Sequence, residues 1–389
     1  MDIRITPGPL EGAVTPPPSK SMVHRAILSE LLSGSSGLTD RPDWSQDLVA
    51  TSRCTAALKA AGHGLPLLDC GESGSTLRFL IPVALALRGG GIFTGQGRLM
   101  ERPQQPYFDI FNEKGIFYEQ KDGILTVRGE LTPGEYRLPG NVSSQFITGL
   151  LYALPLLDGD SRIILTSPLE SRGYVDMTLD VLRQSGIVVE DQDYTCFSIP
   201  GRQKYQKTVI ALEADWSQAA FWYAANEIGN HIHVLDMRKT SFQGDRIVLR
   251  HITMLRGSGN LNIDVSDCPD LVPPLALMAA FHDGTTRLVN AARLRMKESD
   301  RLTSVTKTLN ALGAQVEEGP DFLKITGRDG LEGGVTVDCC NDHRIAMMAA
   351  LAATRCRKPV TLVGAECVKK SYPTFWEEYK RLGGKFDVL

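Results

Sequence analysis

Long apolar runs recur along this chain, each behind a small polar residue or an aspartate. They begin near Ser19 (SKSMVHRAILSELLSG), Ser73 (SGSTLRFLIPVALALRGG) and Ser144 (SQFITGLLYALPLLDG). They begin again near Asp215 (DWSQAAFWYAANEIG), Asp270 (DLVPPLALMAAFHDG) and Asp342 (DHRIAMMAALAAT). Serine and aspartate oxygens satisfy the orphan N–H groups of a helix start, and most of the runs stop near glycine. Pro273 and Pro274 fall in a first turn, where a missing N–H does no harm. The pattern predicts six helices that are apolar on nearly every side and therefore buried. More amphipathic helices follow them, such as DMTLDVLRQSGI from Asp176, SDRLTSVTKTLNALGA from Ser299 and TFWEEYKRLGGKF from Thr374.

The spacing of these runs adds a second layer. From 19 to 215 is 196 residues, from 73 to 270 is 197, and from 144 to 342 is 198. Asp176 and Thr374 also differ by 198. A near-constant offset is the mark of an internal repeat, so the chain reads as two halves of three strand–helix units each. Short β-branched runs supply the strands: ILTVRG from Ile124, RIILTS from Arg162, TVIALEA from Thr208, IHVLDM from Ile232, FLKITG from Phe322 and VTLVG from Val360. The predicted class is α/β or α+β.

Composition narrows the function. A chain of 389 residues exceeds one ordinary core, so two domains are expected. A net charge of −3 argues against a general attraction to nucleic acid or an acidic membrane. The start, MDIRITPGPLEG, lacks the charged and apolar regions of a signal peptide, and Arg78, Asp158 and Asp283 interrupt the longest apolar stretches. Eight scattered cysteines without C-x-x-C spacing point to reduced thiols rather than a zinc site. The expectation is a cytoplasmic protein with no metal and no cofactor.

Candidate chemistry gathers at the helix starts, where backbone N–H groups and the helix dipole already favour anions. Lys20, Ser21 and Arg25 open the first helix, in PPPSKSMVHRA. CGESGSTLRF brings Gly71, Gly74, Ser75, Thr76 and Arg78 to the second, without the spacing of a nucleotide-binding loop. Arg98 and Arg102 follow in GQGRLMERP. Ser143, Ser144 and Gln145 open the third, with Ser144 expected as its cap. In the second half, Asp270 stands in CPDLVPP, where a carboxylate can simply cap a helix. Lys297, Glu298, Asp300 and Arg301 crowd RMKESDRL, His343 and Arg344 follow Asp342, and Lys369 and Lys370 precede Pro373. Singly, each cluster fits a solvated or capping role. Together they describe a site for small polyanions held by guanidinium forks, with carboxylates placed for proton transfer.

The motifs PPSKS-x-x-x-R, GxSGSTLR, GxxRxxERP, VSSQF, QGD, PD, KESDRL, NDHR-x-A-M and KKSYP occur in the order of one family, from end to end. The chain resembles the 5-enolpyruvylshikimate-3-phosphate synthases, which are enolpyruvyl transferases. That resemblance implies two similar lobes of three βαβαββ units each (an inside-out α/β barrel), with the active site in the cleft between them. Residues 1–18 and 214–389 would form the lobe with both termini, and 19–213 the inserted lobe. It implies a monomer acting on phosphoenolpyruvate and shikimate 3-phosphate. Lys20 would contact phosphoenolpyruvate, and Ser21 and Arg25 the shikimate carboxylate. Ser143, Ser144, Gln145, Ser171 and Tyr174 would line the shikimate phosphate and ring. Gly74, Arg102, Arg301, Arg344 and Lys370 would surround phosphoenolpyruvate, with Lys297 and His343 also among the binding residues. Asp270 would meet the shikimate hydroxyls and Glu298 the reacting carbons.

In that family's chemistry Lys20, Asp270 and Glu298 are the candidates for proton transfer. With no side chain at Gly74, the phosphoenolpyruvate pocket would also admit glyphosate. The sequence departs from the family at Glu72, where asparagine is common, and at Ser75, where threonine is common. The related transferase acting on UDP-N-acetylglucosamine carries a reactive loop cysteine, and none lies between Cys70 and Cys196. RNA 3′-phosphate cyclase, from the same superfamily, would need ATP and a basic nucleic-acid surface. A catalytically dead anion-binding homologue is the rival from outside enzyme chemistry.

Overall fold

The computed structural model describes residues 1–35, 37–38 and 44–389. It divides into two compact units, Met1–Ser19 with Glu213–Leu389, and Lys20–Leu212.

The first unit opens with β1 (Ile3–Thr6) and β2 (Glu11–Val14). In β1 the alternation of IRIT buries Ile3 and Ile5 and exposes Arg4 and Thr6, as the two-residue period of a strand requires. The chain leaves this unit after Ser19 and returns at Glu213. The outgoing and returning segments are pinned together: Ser19 N donates to Glu213 O at 2.8 Å and Asp215 N to Pro17 O at 2.9 Å. Pro18 and Ala214 form an antiparallel bridge.

In the second unit, α1 (Lys20–Ser33) and α2 (Gln46–Ala60) come first. Two modules of one plan follow. The first contains β3 (Leu67–Asp69), α3 (Gly74–Arg88), β4 (Gly90–Thr94), α4 (Gln105–Lys114), β5 (Phe117–Lys121) and β6 (Ile124–Arg128). The second contains β7 (Gly134–Leu138), α5 (Ser144–Ala153), β8 (Ser161–Leu165), α6 (Arg172–Gln184), β9 (Glu190–Gln192) and β10 (Cys196–Ile199). Their sheets run β3-β4-β6-β5 and β7-β8-β10-β9. In each, the first two strands are parallel and the remaining pairs antiparallel.

Local chemistry sets the helix ends. Ser73 accepts from Thr76 N to cap α3, and Gly89 ends it in the left-handed region. Helices α3 and α5 approach so closely that a Cβ at Gly149 would lie 2.6 Å from Arg78 O. The run from Thr208 that reads as a strand is not one; only Ala214 takes part in a bridge. Its alternation has another cause. Ile210 packs beside Met22 and Val181 in a small satellite cluster, while Val209 is 93% exposed.

The first unit resumes with α7 (Trp216–Glu227), β11 (His231–Val234) and α8 (Val248–Leu255), β11 pairing parallel to β2. A module like those of the second unit comes next: β12 (Leu261–Asp264), α9 (Val272–Ala279), β13 (Thr285–Val289), α10 (Arg301–Ala311), β14 (Gln315–Glu318) and β15 (Leu323–Thr326), in the order β12-β13-β15-β14. The chain ends through β16 (Leu331–Gly333), β17 (Thr336–Asp338), α11 (His343–Ala353), β18 (Cys356–Lys358), β19 (Val360–Val363), α12 (Phe375–Arg381) and β20 (Lys385–Val388). The sheet β17-β19-β1-β20 takes in the opening strand of the chain, and β16 pairs with β18. Each unit has its own large apolar cluster, and α3, α5, α7, α9 and α11 are buried over most of their length.

One feature of this topology positions the site. The pairs β2/β11, β3/β4, β7/β8, β12/β13 and β17/β19 are all parallel. In open α/β sheets the loops beyond the carboxyl ends of such strands are where ligands bind. Every candidate residue sits in one of those loops or in the first turns of the helix that follows. Lys20, Ser21 and Arg25 come after β2, Gly74 after β3, and Arg102 after β4. Ser143, Ser144 and Gln145 come after β7, and Ser171 and Tyr174 after β8. In the first unit Asp270 follows β12, Lys297, Glu298 and Arg301 follow β13, His343 and Arg344 follow β17, and Lys370 follows β19.

Candidate active site

In the second unit the site is built around cations. Arg25 lies on α1 and is only 2% exposed. Its Nε donates to Thr178 Oγ1 at 2.9 Å, Nη1 to Ser21 O at 2.7 Å, and Nη2 to Tyr174 O at 2.7 Å. The guanidinium also lies 5.4 Å from the centre of the Phe79 ring. No carboxylate pairs with it among the described residues. Burial accordingly draws its pKa down to about 10. The charge persists at neutral pH, but much of the fork is directed at the protein, so Arg25 would act on an anion mainly as a fixed charge.

Lys20, at the start of α1, donates through Nζ to Asp47 Oδ2 at 2.7 Å. Asp47 belongs to the first turn of α2 and was not among the residues expected from sequence. Its signal was an ordinary acidic first turn, which carries no hint of a partner 27 residues away. The sequence reading also passed over His24. It is buried on α1, with Nδ1 2.7 Å from Thr51 Oγ1, which in turn lies 2.6 Å from Thr76 Oγ1. Burial first, then Lys20 and Arg25, hold its pKa well below the usual histidine range. A neutral imidazole thus ties α1 and α2 to the start of α3.

That start carries Gly74. A Cβ there would lie 2.9 Å from Arg102 Nη1 and 3.4 Å from Gln145 Oε1, so glycine lets Arg102 lie directly over the helix N-terminus. Gln145 donates to Ser75 Oγ at 3.0 Å and accepts from Arg78 Nη1 at 2.9 Å. Arg78 also reaches Pro103 O at 3.1 Å and sits over the Phe146 ring. Arg78 therefore fixes the Gln145 amide and the end of the Arg102 loop together. The departure at Glu72 is accommodated by a second glycine, since a Cβ at Gly97 would come within 2.6 Å of its Oε2.

The cap of α5 is Ser143, which accepts from Gln145 N at 3.3 Å, rather than Ser144 as the sequence suggested. Ser144 is buried in the first turn. Ser171 precedes α6 with φ 59° and ψ 46°. A buried non-glycine residue held in the left-handed region is a strained position of the kind found at functional sites. The Tyr174 carbonyl, one turn on, is the group that takes Arg25 and the Thr178 hydroxyl.

The first unit is organised differently, around Arg301, which is 1% exposed at the start of α10. Its Nε donates to Asp342 Oδ2 at 2.8 Å, Nη1 to Asp270 Oδ1 at 2.8 Å, and Nη2 to Glu298 Oε2 at 2.6 Å. Burial would weaken its proton affinity, but Asp342, Glu298 and Asp270 outweigh it and hold the group firmly protonated. Asp270 is shared. Arg344 donates to its backbone O at 3.0 Å and to Oδ2 at 3.1 Å, and Lys297 Nζ stands 3.7 Å from Oδ1. Burial draws the Lys297 pKa down to about 8 against the pull of Asp270.

Two expectations change here. Asp270 is not a helix cap: it sits in the 3₁₀ turn Pro269–Leu271 ahead of α9, with its carboxylate on three cations. Asp342, read only as a helix start, has two roles. It caps α11 by accepting from Arg344 N at 3.0 Å, and it binds Arg301 and the Ser299 hydroxyl. Nearby, Cys340 and Asn341 both have positive φ, and Asn341 O takes Lys370 Nζ at 2.7 Å. His343 is buried, its Nδ1 4.0 Å from Asp342 Oδ1. Among the described residues no group of histidine, cysteine and acidic side chains could hold a metal ion, and no helix is long and apolar enough to cross a membrane.

Cationic helix starts and a carboxylate–guanidinium network are carried on strand pairs of one repeated plan, the two-lobe α/β fold of the enolpyruvyl transferases. The fold matches the crystal structure of the enolpyruvyl transferase NikO from Streptomyces tendae at TM-score 0.74 and 16% identity, over 99% of this chain and 98% of that one. It matches an EPSP synthase structure from Acinetobacter baumannii at TM-score 0.76 and 24% identity, over the whole of both chains. The chain belongs to the family EPSP synthase (3-phosphoshikimate 1-carboxyvinyltransferase), whose family model matches residues 5–379. It is 44% identical to the 3-phosphoshikimate 1-carboxyvinyltransferase of Clostridium kluyveri, over 99% of this chain and 98% of the relative. It is also 44% identical to that of Clostridium acetobutylicum, over 98% and 97%.

Proposed function

We propose that this chain transfers the enolpyruvyl group of phosphoenolpyruvate to the 5-hydroxyl of shikimate 3-phosphate, releasing phosphate, in the biosynthesis of aromatic amino acids. Membership of the family and the identity to the clostridial enzymes support the reaction. The observation that carries the site assignment is the network in which Arg301 joins Asp270, Glu298 and Asp342. It puts two carboxylates with partial solvent access beside a fixed positive charge.

The reaction proceeds by addition and elimination. The 5-hydroxyl oxygen bonds to C2 of phosphoenolpyruvate, its proton passes to a base, and C3 takes a proton to become a methyl group. The C2–O bond to phosphate then breaks as the methyl group returns a proton, leaving the enol ether and inorganic phosphate. Asp270 and Glu298 are the proposed proton carriers, with Lys20 as the cation beside the phosphoenolpyruvate phosphate. Arg102, Arg344 and Lys370 hold phosphoenolpyruvate, with Arg301 fixing the carboxylates among them and Gly74 leaving room. Ser21, Arg25, Ser143, Ser144, Gln145, Ser171 and Tyr174 hold shikimate 3-phosphate, with Lys297 and His343 beside it. Charges already fixed in place need no reorganisation as phosphate charge develops, and that preorganisation is the main source of rate. The enzyme works as a cytoplasmic monomer without metal or cofactor.

Phosphate release by the purified chain, with phosphoenolpyruvate in the presence and absence of shikimate 3-phosphate, tests this. Release only with both, reduced about a hundredfold in Lys20→Met, is the expected result. A folded protein that releases none overturns the reading.

A further inference from the structure

The segment that carries Lys297 and Glu298 is cinched at both ends by an arginine that has no part in the scheme above. Arg295 lies in the 3₁₀ turn Ala292–Met296, between β13 and α10, with 30% of its side chain exposed. Its Nη1 donates to Asp300 Oδ2 at 2.9 Å, which closes residues 295–300 into a loop. Its Nη2 donates to Gly319 O at 2.6 Å and its Nε to Pro320 O at 3.0 Å, both in the turn between β14 and β15. Glu318 Oε1, at the end of β14, lies 3.4 Å from each Nη. A planar fork can hold the aspartate and the turn at once, which a lysine cannot.

Both ends of the loop are built to receive this clamp. Asp300 caps α10 by accepting from Thr303 N at 3.2 Å with Oδ1, which leaves Oδ2 to Arg295. Thr303 Oγ1 donates in turn to Glu318 Oε1 at 3.0 Å. At the other end, Ala291 N donates to Asp321 O at 2.8 Å, and Arg293 donates to Ser266 O. An ion pair this exposed adds little to global stability. Its effect is local, on the freedom of the segment between its ends. We propose that Arg295 is a positioning residue: by joining Asp300 to the β14–β15 turn it fixes the backbone of Lys297 and Glu298, and so sets where the Glu298 carboxylate meets the substrates. Arg301 holds that carboxylate at 2.6 Å, but it opens α10 directly after Asp300, so a loosened clamp moves both partners.

The proposal rests on the reading of Glu298 as a proton carrier, and a double-mutant cycle tests it. Arg295→Met should lower kcat about tenfold, the effect of a slightly misplaced group, and leave KM for phosphoenolpyruvate unchanged. In a Glu298→Gln background the same change should cost less than about twofold, since no carboxylate is left to misplace. An arginine that is only structural would cost the same in both backgrounds. Arg295→Lys, which keeps the Asp300 pair but not the fork, should fall between wild type and Arg295→Met. Hydrogen exchange needs no turnover: in Arg295→Met it should quicken about tenfold at residues 296–299 and stay unchanged in α9 and α11. Equal losses in the two backgrounds, wild-type kcat in a folded Arg295→Met, or exchange that quickens throughout the unit would each overturn the proposal. Wild-type kcat in Glu298→Gln, with exchange still quickened at 296–299, would also overturn it, but by defeating the proton-carrier reading and not the clamp.

Discussion

Arg25 and Arg301 are both buried guanidiniums on helices that follow a parallel strand pair, and they are stabilised in opposite ways. Arg25 is surrounded by hydroxyl and carbonyl oxygens, so its charge is not neutralised and stays available to an anion. Arg301 is surrounded by Asp270, Glu298 and Asp342, so its charge is spent inside the protein. A buried arginine needs its donors satisfied, but neutral and ionised acceptors leave very different fields behind. Around Arg25 the second unit thus keeps an uncompensated positive charge, and around Arg301 the first unit holds three carboxylates in fixed places.

Removing each arginine gives the sharpest test. Arg301→Met removes a partner from three carboxylates, one of which, Asp342, has no solvent access, and should cost about 3–5 kcal/mol in urea unfolding, the range for breaking a buried ion pair. Arg25→Met strands only neutral acceptors and should cost about 1–3 kcal/mol. Equal losses would dissolve the contrast. Next in size is the effect on turnover. Asp270→Asn and Glu298→Gln should each lower kcat by about a hundredfold or more while the protein still binds substrates. Wild-type turnover in both would end the proton-transfer assignment.

A smaller effect comes from pH. Lys297 loses its proton as pH rises through about 8, well before an ordinary lysine. KM for shikimate 3-phosphate should therefore climb about tenfold above pH 8 as that charge is lost, and Lys297→Met should show a high KM with no such limb. The smallest change is expected for Gly74→Ala. The added methyl meets the end of the Arg102 side chain, which can shift, so KM for phosphoenolpyruvate should rise a few-fold and inhibition by glyphosate, competitive with phosphoenolpyruvate, should weaken. An unchanged KM would mean that Arg102 does not use the space over α3.

How much of this was legible follows from the range of each interaction. Helix starts at Ser73, Asp215 and Asp342 were readable because a cap acts within three residues, and those side chains do cap. At the third start the error was one residue, since Ser143 and Ser144 offer the same hydroxyl and only the backbone angles choose between them. The ion network was not legible. Asp342 meets Arg301 across 41 residues and Arg344 meets Asp270 across 74, distances at which no local pattern survives. His24 and Asp47 escaped for the same reason. The apparent strand from Thr208 failed because alternating burial can arise from packing on a helix without any ladder partner.

The place of β1 has a consequence for the order in which the molecule is made. This strand, synthesised before the inserted unit, lies between β19 and β20, which are synthesised after it. The whole of Lys20–Leu212 emerges from the ribosome before either partner exists. Domains generally fold as they emerge, at about 5–20 residues per second, so the inserted unit has time to close while Ile3 and Ile5 still wait. The unit that starts first finishes last. A ribosome stalled far enough past residue 212 for the whole inserted unit to clear the exit tunnel, but before β19, should therefore display a protease-resistant fragment that begins near Lys20, with the leading strand still open to cleavage.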